Sequence, residues 1–160
     1  MPPPLPPITS LVRHRPPFLF LSHLVEVAPP TLTARFAPSA TTRPALLDGL
    51  GQASAALLRL TPAYAKLPTP VFAGMEDLVF APGRGGVDPA TVLVTVTLAA
   101  ARRRYGVVHA VAYVPVGDSG GGAGGRRSGR LHGGKGAPTA AAEVRKVEVA
   151  RGKLLFSFLD

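Results

Sequence analysis

The chain has 160 residues, among them 18 glycines, 18 prolines and no cysteine. This length suits one domain, and the absence of cysteine excludes disulfide bonds and every zinc, redox or nucleophilic site that needs a thiolate. The formal net charge is +9 at pH 7, which by itself favours nucleic acid as a partner.

Two segments are predicted to lie outside the folded core. The first, residues 1–10, is rich in proline, lacks the features of a signal peptide and is expected to be disordered. The second, residues 117–136, holds 10 of the 18 glycines and +3 of the +9 charge, which predicts a flexible loop inserted between two strands. The domain itself spans residues 11–159 and has no uncharged apolar run of the roughly 18 residues that a membrane span needs. We therefore expect a cytoplasmic protein without membrane contact.

Two strand-like runs, residues 18–28 and 31–37, open the domain, and Pro29-Pro30 between them predicts a turn. Apolar residues then recur at helical spacing, which predicts a helix over residues 43–60. The hydroxyl of Thr42 is expected to cap this helix, and Thr61-Pro62 to end it.

The predicted helix is apolar on nearly every face, which is typical of a helix buried on most sides. It contains Gly49 and Gly51, each of which costs about 1 kcal/mol relative to alanine in a helix interior. Such a cost is tolerable where another part of the chain packs close, as when a sheet wraps around a helix.

Long β-rich runs follow the helix, and the last two are predicted to form a hairpin around Arg151-Gly152. The runs cover residues 71–81, 91–104, 105–116, 143–150 and 153–159. One early helix followed by long antiparallel strands predicts an α+β fold. The expected architecture is a single hotdog domain, a long antiparallel sheet wrapped around one central apolar helix.

Four stretches resemble the β-hydroxyacyl-acyl-carrier-protein dehydratases of fatty-acid and polyketide synthesis. They are the opening LVRHRPPFLFLSHLVEV, the helix segment LLDGLGQASAAL, the strand FAGMEDLVF and the closing RKVEVARGKLLFSF. In that family the opening has a Leu-x-His-Arg-x-Pro-Phe-Leu pattern, and an acidic residue of the central helix is followed four residues later by glutamine. The resemblance implies a hotdog fold and a dimer.

The sequence departs from the family at the loop before the helix. There the family has a Gly-His-Phe-Pro segment with its catalytic histidine, whereas residues 34–44 contain no histidine. His14 matches a family position that is not catalytic, and His132 falls in the predicted loop. His23 and His109 are expected to be partly buried strand residues. The resemblance therefore implies activity that is impaired or depends on a partner.

By the same resemblance, Asp48 occupies the position of the catalytic carboxylate, and Gln52, one helical turn on, is expected to orient it. We expect the apolar helix to desolvate Asp48. The acyl tunnel is predicted to be lined by Phe18, Phe36, Phe72 and Met75. No metal and no cofactor are expected, since the substrate is carried on the phosphopantetheine of an acyl carrier protein or coenzyme A.

Three functions remain open on the sequence. The first is a dehydratase-like subunit, in a fatty-acid, polyketide or aryl-polyene type of pathway, that acts as a homodimer or with a second hotdog subunit. The second is a hotdog acyl-thioesterase that uses Asp48, and the third is a non-catalytic subunit that binds acyl carrier protein. Arg102, Arg103 and Arg104 are the predicted docking patch for an acidic carrier. Nucleic acid binding has no support beyond charge, because no basic–aromatic motif is present.

Overall fold

The computed structural model describes residues 4–82, 87–116 and 145–158. They form two helices, six strands and one 3₁₀ turn at Pro89–Thr91. The helices are α1 (Ile8–Leu11) and α2 (Arg43–Leu60); the strands are β1 (Leu21–Ala28), β2 (Thr31–Phe36), β3 (Pro70–Phe80), β4 (Leu93–Arg102), β5 (Tyr105–Val116) and β6 (Arg145–Phe158).

The six strands form one antiparallel sheet in the order β1-β2-β4-β5-β6-β3, so that β1 and β3 are its edges. Six strands spaced about 4.8 Å apart span about 24 Å, roughly twice the width of a helix. Helix α2 nevertheless contacts both edge strands as well as β2, β4 and β5. The sheet therefore curls around the helix, which confirms the predicted α+β architecture.

Helix α2 has the bounds that the sequence predicts. The Thr42 hydroxyl accepts a hydrogen bond of 3.3 Å from the Ala45 N–H, and Pro44 lies in the first turn. The helix ends at Leu60, and its C-cap Thr61 has an extended backbone that precedes Pro62. One side of α2, the core face, consists of Gly49, Leu50, Ala53, Ala56 and Leu57. These residues are buried in the main hydrophobic cluster or, in the case of Gly49, beside it.

The predicted hairpin at Arg151-Gly152 is wrong, because both residues lie inside the single strand β6. Strand β5 continues beside them, with Val111 opposite Arg151 and Ala110 opposite Gly152. An Arg-Gly pair favours a turn only when no neighbouring strand competes for its backbone. Here a long partner strand supplies the hydrogen bonds that keep the chain extended.

The N-terminal boundary lies earlier than predicted. Ile8 begins helix α1 and is only 4% exposed, so the expected disorder over residues 1–10 is wrong for residues 8–10. The burial of Ile8 and Val12 in the hydrophobic cluster explains this order. The predicted loop over residues 117–136 lies outside the described residues.

Candidate active site

A cavity of about 430 Å³ opens between helix α2 and strand β3. Helix α2 contributes one face to it, the cavity face, which consists of Pro44, Leu47, Asp48, Gly51, Gln52 and Ala55. Strand β3 contributes Pro70, Phe72 and Met75, strand β6 contributes Phe156, and the segment before β1 contributes His14. The volume falls in the range of small-molecule sites, and most of the wall is apolar with a few polar groups.

Asp48 and Gln52 lie one helical turn apart on the cavity face. The Gln52 side chain donates from Nε2 to Asp48 Oδ2 over 3.0 Å. This is the contact that the spacing of the two residues predicts. Because Gln52 is only 1% exposed and its amide hydrogen-bonds the Phe18 and Phe20 backbone as well, it is a fixed donor to the Asp48 carboxylate.

Gln52 also fastens the segment before β1 to the helix. Its Nε2 donates to the Phe18 carbonyl over 2.8 Å, and its Oε1 accepts from the Phe20 N–H over 3.0 Å. A single buried amide thus links Asp48 to the backbone of the segment that carries His14. Removing it would leave the Phe18 carbonyl and the Phe20 N–H without these partners.

His14 lines this cavity although the sequence did not predict a catalytic role for it. The family resemblance put it at a non-catalytic position, and only its place in the opening motif singled it out. The structure brings it into the lining with Asp48 and Gln52. Contacts between helices α1 and α2 bring the two regions together. Such long-range contacts cannot be read from a local sequence pattern.

Two of the four predicted tunnel residues, Phe72 and Met75, line the cavity. Phe36 does not line it, because its ring is fully buried between β2 and the core face of α2, beside Gly49. Phe18 is 66% exposed and also lies outside the lining, although its carbonyl is held by Gln52. Of the four residues, Phe72 and Met75 thus lie at this cavity and Phe18 and Phe36 do not, and the use of the cavity as an acyl tunnel stays a prediction.

Three sequence expectations about polar residues need correction. Asp48 is exposed in this chain, so the expected desolvation of its carboxylate is wrong. His23 on β1 and His109 on β5 are exposed as well, not partly buried.

The predicted docking residues Arg102, Arg103 and Arg104 lie at the turn between β4 and β5, and all three are exposed. The Arg104 carbonyl accepts a hydrogen bond of 3.2 Å from the Phe158 N–H, which ties the turn to the end of β6. The structure thus places these cations on one exposed hairpin, and their role in carrier binding stays a prediction.

Within the described ranges, no group of three or more histidine, aspartate or glutamate side chains is arranged to hold a metal ion. Neither described helix combines the length and apolar character that crossing a membrane requires. The polar side chains in the cavity lining are the Asp48 carboxylate, the Gln52 amide and the His14 imidazole.

Strand β3 forms one wall of the cavity and is an edge of the sheet, paired with β6 on one side only among the described strands. It carries four large hydrophobic residues that are between 37% and 50% exposed: Val71, Phe72, Leu78 and Val79. An unpaired edge with exposed apolar side chains is a surface on which another chain can add a strand.

No protein-family model matches the sequence, and no curated protein matches it. Solved structures do share its fold. The dehydratase heterocomplex ApeI:P from Xenorhabdus doucetiae superposes with a TM-score of 0.63 at 9% identity, over 98% of this chain and 93% of that chain. The chain has the hotdog fold. The conserved protein PA5202 from Pseudomonas aeruginosa superposes with a TM-score of 0.59 at 15% identity, over 96% of this chain and all of that one.

At these identities the hotdog fold is what the chain shares with its structural neighbours. Function must therefore be argued from the residues of the cavity.

Proposed function

We propose that this hotdog chain acts on 3-hydroxyacyl thioesters as a dehydratase-like protein, with the cavity beside α2 as its substrate site. The observation that carries the proposal is the Asp48–Gln52 pair, a carboxylate held by a buried amide at the wall of an apolar cavity. Apolar walls suit an acyl chain, and the oriented carboxylate suits proton transfer at its thioester end.

Loss of water from a 3-hydroxyacyl thioester needs two proton transfers. One group takes the proton from C2, next to the thioester carbonyl, and another gives a proton to the hydroxyl that leaves C3. Each well-placed group contributes about 10²- to 10⁴-fold to the rate. Asp48 is one of these groups in this proposal, and Gln52 is the positioning residue that holds it.

The proposed working form is a dimer with the same chain or with another hotdog subunit. The exposed apolar residues Phe72 and Val79 on edge strand β3 support this form, because a second subunit paired there would cover them. Phe72 also lines the cavity, so that the same subunit would close the substrate site. The structural neighbour from Xenorhabdus doucetiae is a dehydratase heterocomplex. The proposed substrate carrier is the phosphopantetheine of acyl carrier protein or coenzyme A.

Thioester hydrolysis is the second candidate, and the exposure of Asp48 favours it. An exposed carboxylate on the cavity wall has access to water and can act as the base that activates it. The two reactions leave different products, because dehydration keeps the thioester while hydrolysis releases the acid.

The test is to incubate the protein with a 3-hydroxyacyl-carrier protein and, separately, with a saturated acyl-coenzyme A, and to follow both by mass. We expect loss of water from the first. Replacing Asp48 with Asn should lower this rate by at least about 10²-fold while the oligomeric state, measured by size-exclusion chromatography, stays the same.

Asp77→Asn is the matched control, because Asp77 lies outside this cavity and its φ of 54° is one that asparagine adopts readily. It should keep the wild-type rate. Hydrolysis of the saturated thioester without dehydration would replace the first function by the second. An Asp48→Asn rate equal to wild type would remove Asp48 from either mechanism.

A further inference from the structure

We propose that His14 is the second proton-transfer group of the cavity, acting with Asp48 on the same bound substrate. The inference rests on the proposed function, and its structural basis is one juxtaposition. His14 and Asp48 line a single cavity whose other lining residues, apart from the Gln52 amide, carry no polar side-chain group. A histidine and a carboxylate in one apolar cavity can supply the base and the acid that β-elimination of water needs.

The segment that carries His14 is anchored on both sides of it. Before it, Val12 is buried in the hydrophobic cluster, and after it, Gln52 binds the backbone of Phe18 and Phe20. Arg15 adds hydrogen bonds from Nη1 to the Val12 carbonyl over 3.0 Å and to the His14 carbonyl over 2.7 Å. These contacts hold the backbone around His14 against α2, as a group that acts on a bound substrate requires.

The other histidines within the described residues do not compete for this role. The His23 ring is 3.0 Å from the Ser22 hydroxyl on β1 and is absent from the lining. His109 lines a separate cavity of about 180 Å³ on the β5–β6 side, with Asp77, Arg151 and Lys153. Residues 34–44, where the resembled family has its catalytic histidine, contain none. His14 therefore supplies from the opening segment what that loop lacks.

The hydrogen bond at Asp48 favours one division of the two roles. The Gln52 amide N–H donates to Oδ2 and so positions the carboxylate at the cavity wall, as a base that takes the C2 proton requires. In this proposal Asp48 is accordingly the base and His14 the acid.

In the forward step the Asp48 carboxylate takes the C2 proton, and the electron pair of that C–H bond forms the C2=C3 double bond. The C3–O bond breaks, and the departing hydroxyl takes a proton from the His14 imidazolium and leaves as water. The proton on Asp48 then returns to His14 through water, which restores both groups. The net change is one enoyl thioester and one water per substrate.

This assignment changes what a partner subunit has to supply. With both groups on one chain, the partner covers the β3 edge and closes the cavity, and it need not bring a histidine. The chain alone, as a homodimer, is then competent for dehydration.

The experiment uses a substrate in which the leaving group needs no proton. A 3-chloroacyl-pantetheine thioester loses chloride, so its elimination requires the base only, whereas the 3-hydroxyacyl thioester requires both groups. His14→Gln should lower dehydration by at least about 10²-fold and keep chloride elimination within about 3-fold of wild type. Asp48→Asn should lower both, and the control His109→Gln should change neither. Rates are taken above those measured without protein.

Binding of a non-reactive thioether analogue of the 3-hydroxyacyl-pantetheine, measured by calorimetry, separates the two ways of failing. If wild type neither binds the analogue nor reacts with either substrate, the proposed function itself fails. If wild type is active and His14→Gln dehydrates at the wild-type rate, only the role of His14 is overturned.

Loss of chloride elimination in His14→Gln, with binding intact, overturns the assignment of His14 as the acid. Should thermal melting show that His14→Gln does not fold, His14→Asn takes its place under the same criteria.

Discussion

The two faces of helix α2 differ in how closely other atoms approach their glycines. A Cβ at Gly49, on the core face, would collide with the Phe36 ring, so the helix and β2 approach closely there. A Cβ at Gly51, on the cavity face, would meet no atom within 4 Å. The two glycines of this helix therefore have different structural roles. Gly49 makes room for an aromatic ring, and Gly51 leaves the space beside it open.

This contrast separates packing from function. Contacts made by the core face stabilise the fold, and small residues are needed there because the sheet packs closely against the helix. The cavity face does not gain stability from Gly51, since a glycine in a helix interior costs about 1 kcal/mol relative to alanine and nothing fills the space beside it. An open volume next to the Asp48–Gln52 pair is what a substrate site requires.

Truncating the Phe36 ring, which packs against the core face, should have the largest effect. Phe36→Ala removes a fully buried side chain, and we expect it to lower the free energy of unfolding by about 3–5 kcal/mol. Phe72→Ala is the matched control, because that ring lines the cavity and is half exposed. It should cost less than half as much in urea unfolding. Equal costs would mean that the two faces are packed alike.

Adding one methyl group to the core face should have the next largest effect. Gly49→Ala places its Cβ against the Phe36 ring, and we expect a loss of about 1–3 kcal/mol despite the better helix propensity of alanine. Combining it with Phe36→Leu should recover part of this loss, which a double-mutant cycle measures. A stabilised Gly49→Ala protein would contradict the close approach of β2.

The same change on the cavity face should have the smallest effect and the opposite sign. Gly51→Ala meets no neighbouring atom, so we expect the free energy of unfolding to rise by about 1 kcal/mol. Urea midpoints of Gly49→Ala and Gly51→Ala, measured side by side, test the contrast directly. A loss of stability in both would show that the cavity face is packed as well.

The sequence predicted the hotdog architecture and the bounds of α2 because both depend on patterns along the chain. The helical spacing of Leu46, Leu50, Ala53 and Leu57 and the capping hydroxyl of Thr42 are local signals. The Asp48–Gln52 contact was also predictable, since residues four apart on a helix are neighbours.

The errors share a physical cause, which is a contact between distant parts of the chain. Strand β5 holds Arg151-Gly152 extended where local preference favours a turn. Gln52 draws the segment around Phe18 onto α2 and so brings His14 to the cavity. Phe72 lines the cavity and Phe36 does not because of how the sheet curls. The residue type is the same at both positions, so it could not predict this difference.

Filling the cavity tests directly whether the cavity face of α2 binds an acyl thioester. Gly51→Leu adds a side chain where the structure has free space, in a helix that favours leucine over glycine, so the variant should fold at least as stably as wild type. By calorimetry, wild type and Gly51→Ala should bind the thioether analogue of 3-hydroxyacyl-pantetheine, and Gly51→Leu should bind it at least about 10-fold more weakly, an effect of about 1.4 kcal/mol. Equal binding by wild type and a folded Gly51→Leu would show that the analogue does not bind at the cavity face of α2.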